Sequence, residues 1–353
     1  MSYIDGLAAI NLDMPKRIPR TEYSIEGHWP YLEKLTGLDL HHEPGLQERR
    51  DKAVKILYKK WNYGFRWNVC ISNNIYDGYF TKLGHAEFQE GGTDYNTDVY
   101  CPFTDVDQVL EFNPLERYPI PKHSEIVDFF NANYKDVCNY YDDLVNTTGI
   151  YTTCISGLIE IFGWDMMLMG LGVDAEKFGE VTNNYAKFIQ HWFDGLADCD
   201  APIVKVHDDM VWTSGPFAHP EWYRKYVFPN MKKYFAPIKE AGKKIIFTSD
   251  GTYDMFYDDL VDCGVNGFVL EPTNDMQKLA DKYGKTHSFI GAVDTRILLS
   301  GSKEAIYNEV KRNIDIGKDC PGFFLAVGNH IPSNTPVENV EYYEEVYEKL
   351  SLR

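Results

Sequence analysis

The chain has 353 residues, 44% of them hydrophobic and 15% aromatic, which suits one large barrel with an elaboration, or two domains, and supplies a sizeable core. A formal net charge of −18 lacks the clustered Lys and Arg that nucleic acid or an anionic membrane surface demands, so both are set aside as partners. Seven scattered cysteines with no CxxC pair read as reduced thiols, and the opening MSYIDGLAAINLDMPKR carries no basic segment followed by a long apolar run, so a soluble, cytoplasmic protein is expected.

Residues 3–11 read as a short helix, followed by an irregular wrap punctuated by Pro15, Pro19, Pro30 and Pro44. Within it Arg17, Arg20, Glu22, Tyr23 and His28 either line a site or staple the wrap to the body; stapling is the plainer assignment. Apolar residues at 53, 54, 57, 58 and 61 mark a helix over 47–61, and 66–71 reads as the first strand. The following loop holds Lys82, His85, Glu87, Gly91 and Gly92, and a lone loop histidine is most simply solvated or structural. A short strand near 98 in a proline-rich stretch, a helix over 125–143 and a strand over 150–155 come next. The run 157–171, GLIEIFGWDMMLMGL, predicts a helix buried on most sides, with its methionines as core filler. No window approaches the ~20 apolar residues of a membrane helix. Another helix is expected over 185–199.

From residue 203 one grammar repeats: an apolar strand, polar residues, then a turn or helix. Residues 203–206 lead into His207, Asp208 and Asp209; 244–247 into Thr248, Ser249, Asp250 and Gly251; 267–270 into Glu271 and Pro272. Residues 288–293 lead into Asp294, Thr295 and Arg296, and 323–327 into Gly328, Asn329 and His330, before a last helix over 337–350. Strands near 66, 98, 150, 203, 244, 267, 288 and 323 predict an α/β protein, a single (β/α)8 TIM barrel over 61–353 with an N-terminal extension over 1–60 packed on it. In such a barrel all strand ends of one polarity meet on one face, so these clusters would share a pocket. Trp212, Phe217, Tyr253 and Phe256, just beyond the same strand ends, would either wall an aromatic ligand or pack under loops.

The motifs HDDMVWTSGPFAHPEWYRKYVFP, FTSDG, FVLEP, GAVDTRILLSGSKEAIYNEV and AVGNHIPSNTP, in that order, resemble the uroporphyrinogen decarboxylase superfamily over most of residues 150–353. That superfamily of TIM barrels also includes methyltransferases serving protein-bound corrinoids. The opening IDGLAAINLDMPKRIPRTEY, together with ISGLIEIFGWDMM and VGNHIP, looks like the methyltransferase I components of anaerobic O-demethylases. The resemblance implies transfer of a methyl group from a small methylated aromatic substrate, a phenyl methyl ether, to cob(I)alamin. The cobalamin would be supplied by a partner corrinoid protein, since the DxHxxG signature of a corrinoid-binding module is absent here. An arginine-rich N-terminal motif of the type RQAGRY, which holds porphyrinogen propionates in the decarboxylases, is also absent, and this places a decarboxylase second. A third reading is a non-catalytic partner of a corrinoid protein, against which the density of polar strand ends speaks. Thiol-methylating relatives bind zinc through a His-x-Cys pair and a later Cys, where this chain has Thr248, Asp250 and Asn329.

A phenolate leaves poorly unless it is protonated or bound to a Lewis acid, so the enzyme must supply an electrophile. His207, Asp208, Asp209, Asp250, Glu271, Asp294 and His330 are the ionisable groups assigned to the barrel mouth. So many carboxylates together are costly unless a cation is bound or some are protonated. One solution is a divalent metal, zinc foremost, on Asp250, Glu271 and His330. The other is a neutral carboxylic acid, or a protonated His207 or His330, giving up its proton directly. Asp294, Glu309 and His330 resemble a zinc-associated series in O-demethylase relatives but rank lower, because Glu309 falls inside a helix. The catalytic candidates are His207, Asp208, Asp209, Asp250, Asp294 and His330, and the substrate contacts Trp212, Phe217, Ser249, Tyr253, Arg296 and Asn329. Arg296 would bind a substrate carboxylate or pair with Asp294, itself a good helix N-cap.

Overall fold

A computed structural model describes residues 2–82 and 100–353. Six strands, β1 (Thr148–Ile150), β2 (Ile203–His207), β3 (Lys244–Thr248), β4 (Gly267–Val269), β5 (Ser288–Ile290) and β6 (Phe323–Phe324), lie side by side in sequence order and all run parallel. Helices fill every connection between them, as parallel crossovers require. Single parallel pairings then carry the sheet from one edge back to the other. Leu325, just past β6, pairs with Arg20; Arg20 pairs with Tyr63; Phe65 pairs with Val145, just before β1, and Ile71 with Ile150, the last residue of β1.

The stave expected at 66–71 is thus present as isolated pairings, while the one expected near 98 lies outside the described residues, as do His85, Glu87, Gly91 and Gly92. In its place among the described residues stands 19–21. There Leu325 N–H donates to Pro19 O at 2.9 Å, Thr21 N–H to Leu325 O at 3.1 Å and Gly64 N–H to Arg20 O at 2.9 Å. Three residues beside a proline are too few to show alternation, and a charged Arg20 disguises them further.

Alternation along β2 sorts the core into two layers. Val204 and Val206 face outward into the layer beneath the helices. Ile203 faces inward and joins Phe65, Trp67, Ile246, Val269, Ile290 and Phe324 in an apolar plug inside the ring. The helix Ser2–Ile10 caps this plug from below through Ala9 and Ile10, and Lys244 Nζ donates to the Ile10 carbonyl. The next inward positions on β2 are Lys205 and His207, so polar side chains begin where the plug ends.

The apolar helix is longer than its sequence suggested. It spans Cys154–Val173 and, among the described residues, is the one helix long and apolar enough to cross a membrane by length and composition. Its apolar window is 72% buried inside the fold, packed on the helix Ala175–Asp198, and Gly163 at φ 73° interrupts its helical path. It serves as a core helix.

Candidate functional site

The strand ends of β2, β3 and β4 and the loop after β6 open into a cavity of about 830 Å³. His207, Asp209, Trp212, Asp250, Glu271, Asn329 and His330 line it, joined by Tyr23, Trp67, Tyr151, Trp164 and Thr248.

Its geometry begins with Asp208, which does not face the cavity. Asp208 is fully buried, and its Oδ1 accepts the N–H groups of Ile155 and Ser156 at 2.8 and 2.7 Å, tying the first turn of the long helix to the end of β2. Thr153 Oγ1 donates to His207 O at 2.8 Å and Asp209 N–H to Ser156 Oγ at 2.7 Å, so the same helix end fixes the backbone on either side. Burial pushes the Asp208 carboxyl up to about 7.

Asp209, the neighbour, turns the other way. Its Oδ1 is 2.8 Å from His207 Nε2 and accepts Asp250 N–H at 3.0 Å, while Tyr151 Oη donates to Oδ2 at 3.4 Å. The Tyr151 ring leans on the imidazole with centroids 4.2 Å apart. His207 Nδ1 is buried and has no hydrogen-bond partner among the described residues. Asp250 meets the solvent of the cavity yet lies deep in the barrel mouth; that burial, and the charge of Asp209 beside it, push its carboxyl up to about 7 against the pull of His207. The ligand atoms of His207, Asp209 and Asp250 all lie within 4.8 Å of one another, and no other such group of three or more His, Cys, Asp or Glu occurs among the described residues.

Of the metal set expected on Asp250, Glu271 and His330, Asp250 alone belongs to this cluster. Glu271 is held by N–H donors: Gly251 N–H to Oε2 at 2.9 Å and Asn329 Nδ2 to Oε1 at 2.7 Å. Gly251 reaches that position at φ +84°, where a Cβ would stand 2.5 Å from Trp212 O, so the turn needs glycine. Asn329 Oδ1 accepts His330 N–H at 2.8 Å, so Glu271 and Asn329 brace the loop that presents His330. The His330 ring packs edge-on against Tyr23 at 4.7 Å, and burial together with His207 pulls its pKa down to about 4, which keeps it a neutral imidazole near pH 7.

Other expected residues do not reach the cavity. Ser249 and Tyr253 are buried: Ser249 Oγ donates to Asp250 O and Tyr253 Oη to Val269 O, so both shape the strand ends from behind. Asp294 caps the helix Thr295–Ser300 by accepting Arg296 N–H at 2.9 Å, and Arg296 Nη2 lies 2.7 Å from its Oδ2. That ion pair accounts for both. Glu309 is held by Arg312, so the Asp294, Glu309 and His330 series does not assemble. Phe217 sits behind Trp212 and Trp164, with ring centroids at 5.7 and 5.5 Å, as backing for the aromatic wall. Phe256 is buried against Tyr223 and Phe228.

Sequence reading missed Trp67, Tyr151 and Trp164 and undervalued Tyr23. Tyr151 directly follows β1, as His207 ends β2, and its place at a strand end was the available signal. Tyr23 follows the unrecognised stave, and its phenol is pushed up to about 12 by burial and the nearby acids, so it stays protonated. Lys205, beneath His207, is pulled down to about 7 by burial, with Asp250 and Asp209 opposing.

The family model of uroporphyrinogen decarboxylase (URO-D) matches residues 165–350. The uroporphyrinogen decarboxylase of Carboxydothermus hydrogenoformans is 27% identical over 176 residues, 50% of this chain and 49% of that protein. That of Thermus thermophilus is 27% identical over 172 residues, 49% of this chain and 47% of that protein. The chain thus spans about half the length of the curated relatives it matches. Over nearly its full length the fold is that of a methyltransferase from Methanosarcina mazei, with a TM-score of 0.62 at 16% identity, covering 99% of this chain and 98% of the other. With its parallel strands, their polar ends and a family match over more than half its length, the chain belongs to the uroporphyrinogen decarboxylase family.

Proposed function

We propose that the protein is a methyltransferase that takes the methyl group of a small methylated compound, foremost a phenyl methyl ether, and delivers it to a reduced corrinoid carried by a partner protein. The observation that carries this reading is the convergence of His207, Asp209 and Asp250 in a cavity walled by Tyr23, Trp67, Tyr151, Trp164 and Trp212. Flat aromatic walls suit an aromatic ring, and the acid and imidazole cluster suits the oxygen from which the methyl departs. The likeness to the Methanosarcina methyltransferase along nearly the whole chain supports it through the fold.

The cluster fits a divalent cation by donor chemistry. Two carboxylates and an imidazole present their atoms together, and the mutual repulsion of Asp209 and Asp250 is relieved by a positive charge between them. A zinc ion bound by His207, Asp209 and Asp250 would act as a Lewis acid toward the ether oxygen. The chain's own residues do the rest. Tyr151 and the Asp250 amide orient Asp209, Asp209 orients the imidazole, and the Glu271 and Asn329 brace holds the His330 loop in place. Trp212, 43% exposed at the rim, gives the ligand an apolar edge toward the opening through which a partner's cofactor must approach.

The names of the matched relatives favour decarboxylation as a second reading. A porphyrinogen carries several carboxylates, and no arginine lines this cavity among the described residues, which ranks that reading lower. Anaerobic incubation of the protein with a reduced corrinoid protein and a panel of methoxylated phenols should convert the cob(I)alamin spectrum to that of methylcobalamin. No conversion across the panel, alongside carbon dioxide release from a porphyrinogen, would reverse the order.

A further inference from the structure

The layer of the barrel interior directly beneath His207 is polar, and its donors find no hydrogen-bond acceptor among the described residues. Lys205 precedes His207 by two positions on β2, faces the same way, and is 1% exposed. Its ammonium lies 4.6 Å from the centre of the Trp67 ring and 5.2 Å from that of Tyr23, and it makes no hydrogen bond or ion pair to any described residue. Trp67 Nε1 is buried and also has no hydrogen-bond partner among the described residues. The Tyr23 hydroxyl, on a residue that lines the cavity, donates to no described acceptor either. The two rings, which line the cavity, meet edge-on with centroids 5.7 Å apart, and Lys205 sits against both, so the three side chains meet at one corner of the cavity's base.

A buried polar group left without a partner costs roughly 1 to 3 kcal/mol, and more when it is charged. A buried lysine beside a buried indole N–H that has no partner among the described residues, with apolar residues below, is an expensive arrangement for a structural purpose. The carboxylates of Asp209 and Asp250 act on the ammonium through their charge from the strand ends, without bonding to it. What this corner lacks among the described residues is an acceptor.

We infer that Lys205, Trp67 and Tyr23 form an oxyanion subsite that takes the negatively charged oxygen of an aromatic ligand. The inference rests on the reading of the cavity as a site for aromatic compounds and adds to it the class of substituent the floor recognises. Two sources share this chemistry: a carboxylate on the ring of the substrate, and the phenolate left when the methyl group has gone. Lys205 supplies charge, Trp67 and Tyr23 supply direction, and the aromatic faces shield the contact from water, where a charge-assisted hydrogen bond gains most.

Isothermal titration of the full chain with benzoate, methyl benzoate, para-nitrophenol and para-nitroanisole tests this without a corrinoid partner. In the wild type at least one anion should bind about 10-fold or more tightly than its neutral methylated counterpart, the scale of a hydrogen bond to a charged group. Preference for benzoate identifies the carboxylate as the source. Preference for para-nitrophenol, with the visible band of its anion appearing below the pH at which it appears in free solution, identifies the phenolate. Lys205→Met should abolish the preference while melting no lower than the wild type, because it removes a buried charge, and Trp67→Phe should weaken it severalfold. Equal binding of each anion and its neutral counterpart, alongside clear binding of the neutral compounds, would overturn the subsite and leave the aromatic reading standing. No binding of any of the four would remove both.

Discussion

Asp208 and Asp209 are adjacent carboxylates with opposite tasks, and the difference lies in which way β2 turns them. Asp208 Oδ1 holds two helix N–H groups inside the wall, while Asp209 faces the cavity and orients His207. Asp208→Ala should therefore cost about 2 to 4 kcal/mol in chemical denaturation, since it orphans both N–H groups at a buried helix start. Asp208→Asn should fold and turn over near the wild-type rate, because an amide keeps the accepting oxygen and Oδ2 has no partner to lose. The raised carboxyl adds a pH signature. A group whose pKa rises on folding from 3.8 to about 7 stabilises the fold fully below about pH 4, and that stability is lost as the pH climbs through about 7. Denaturation midpoints of the wild type should fall across that window relative to Asp208→Asn, and parallel profiles for the two would show that Asp208 carries no such shift. Sequence reading placed both residues at one mouth because a strand end does not reveal which of two neighbours faces inward.

The stave at 19–21 joins the N-terminal segment to the barrel, and Arg20 is its rivet. The guanidinium lies 3.5 Å from the Trp61 ring centre and 4.4 Å from that of Tyr343, with Nε 3.3 Å from Glu22 Oε1, all fully buried. Glu22 in turn accepts Tyr343 Oη at 2.6 Å and Val327 N–H at 2.9 Å, which ties the same segment to β6 and the last helix; burial pushes its carboxyl up. Arg20→Met should destabilise by about 3 to 5 kcal/mol, the cost of leaving one partner of a buried pair charged and alone. Adding Glu22→Gln should recover part of that loss, since no uncompensated charge remains. If the double variant is no more stable than Arg20→Met alone, the pair does not act as a unit. The helix over 337–350 was legible because its periodicity runs for many residues. A three-residue stave built on a buried arginine has no periodicity to read, and its partners lie some 40 and 300 positions away.

At the scale of the whole molecule, the legible feature was the recurrence of polar residues after apolar strands, which brought His207, Asp209, Asp250, Glu271, Asn329 and His330 to one cavity. Asp294 and Arg296 follow the same grammar but pair with each other, and Ser249 and Tyr253 point behind the wall; a pattern along the chain locates a strand end without fixing the rotation of its side chains. The floor was less legible, because Lys205, Trp67 and Tyr23 come from three distant segments that meet only when the ring closes. We propose that the His207, Asp209 and Asp250 cluster supplies the electrophile for methyl transfer. Its most direct test is single-turnover methylation of a reduced corrinoid protein by the wild type, His207→Ala and Asp250→Asn, with metal content and melting temperature measured on each. Both variants should keep the wild-type fold and lose about 10²-fold or more in rate, the scale of removing an acid or Lewis-acid partner; loss of zinc in parallel would assign the electrophile to the metal. Near-normal rates in both folded variants would contradict the claim.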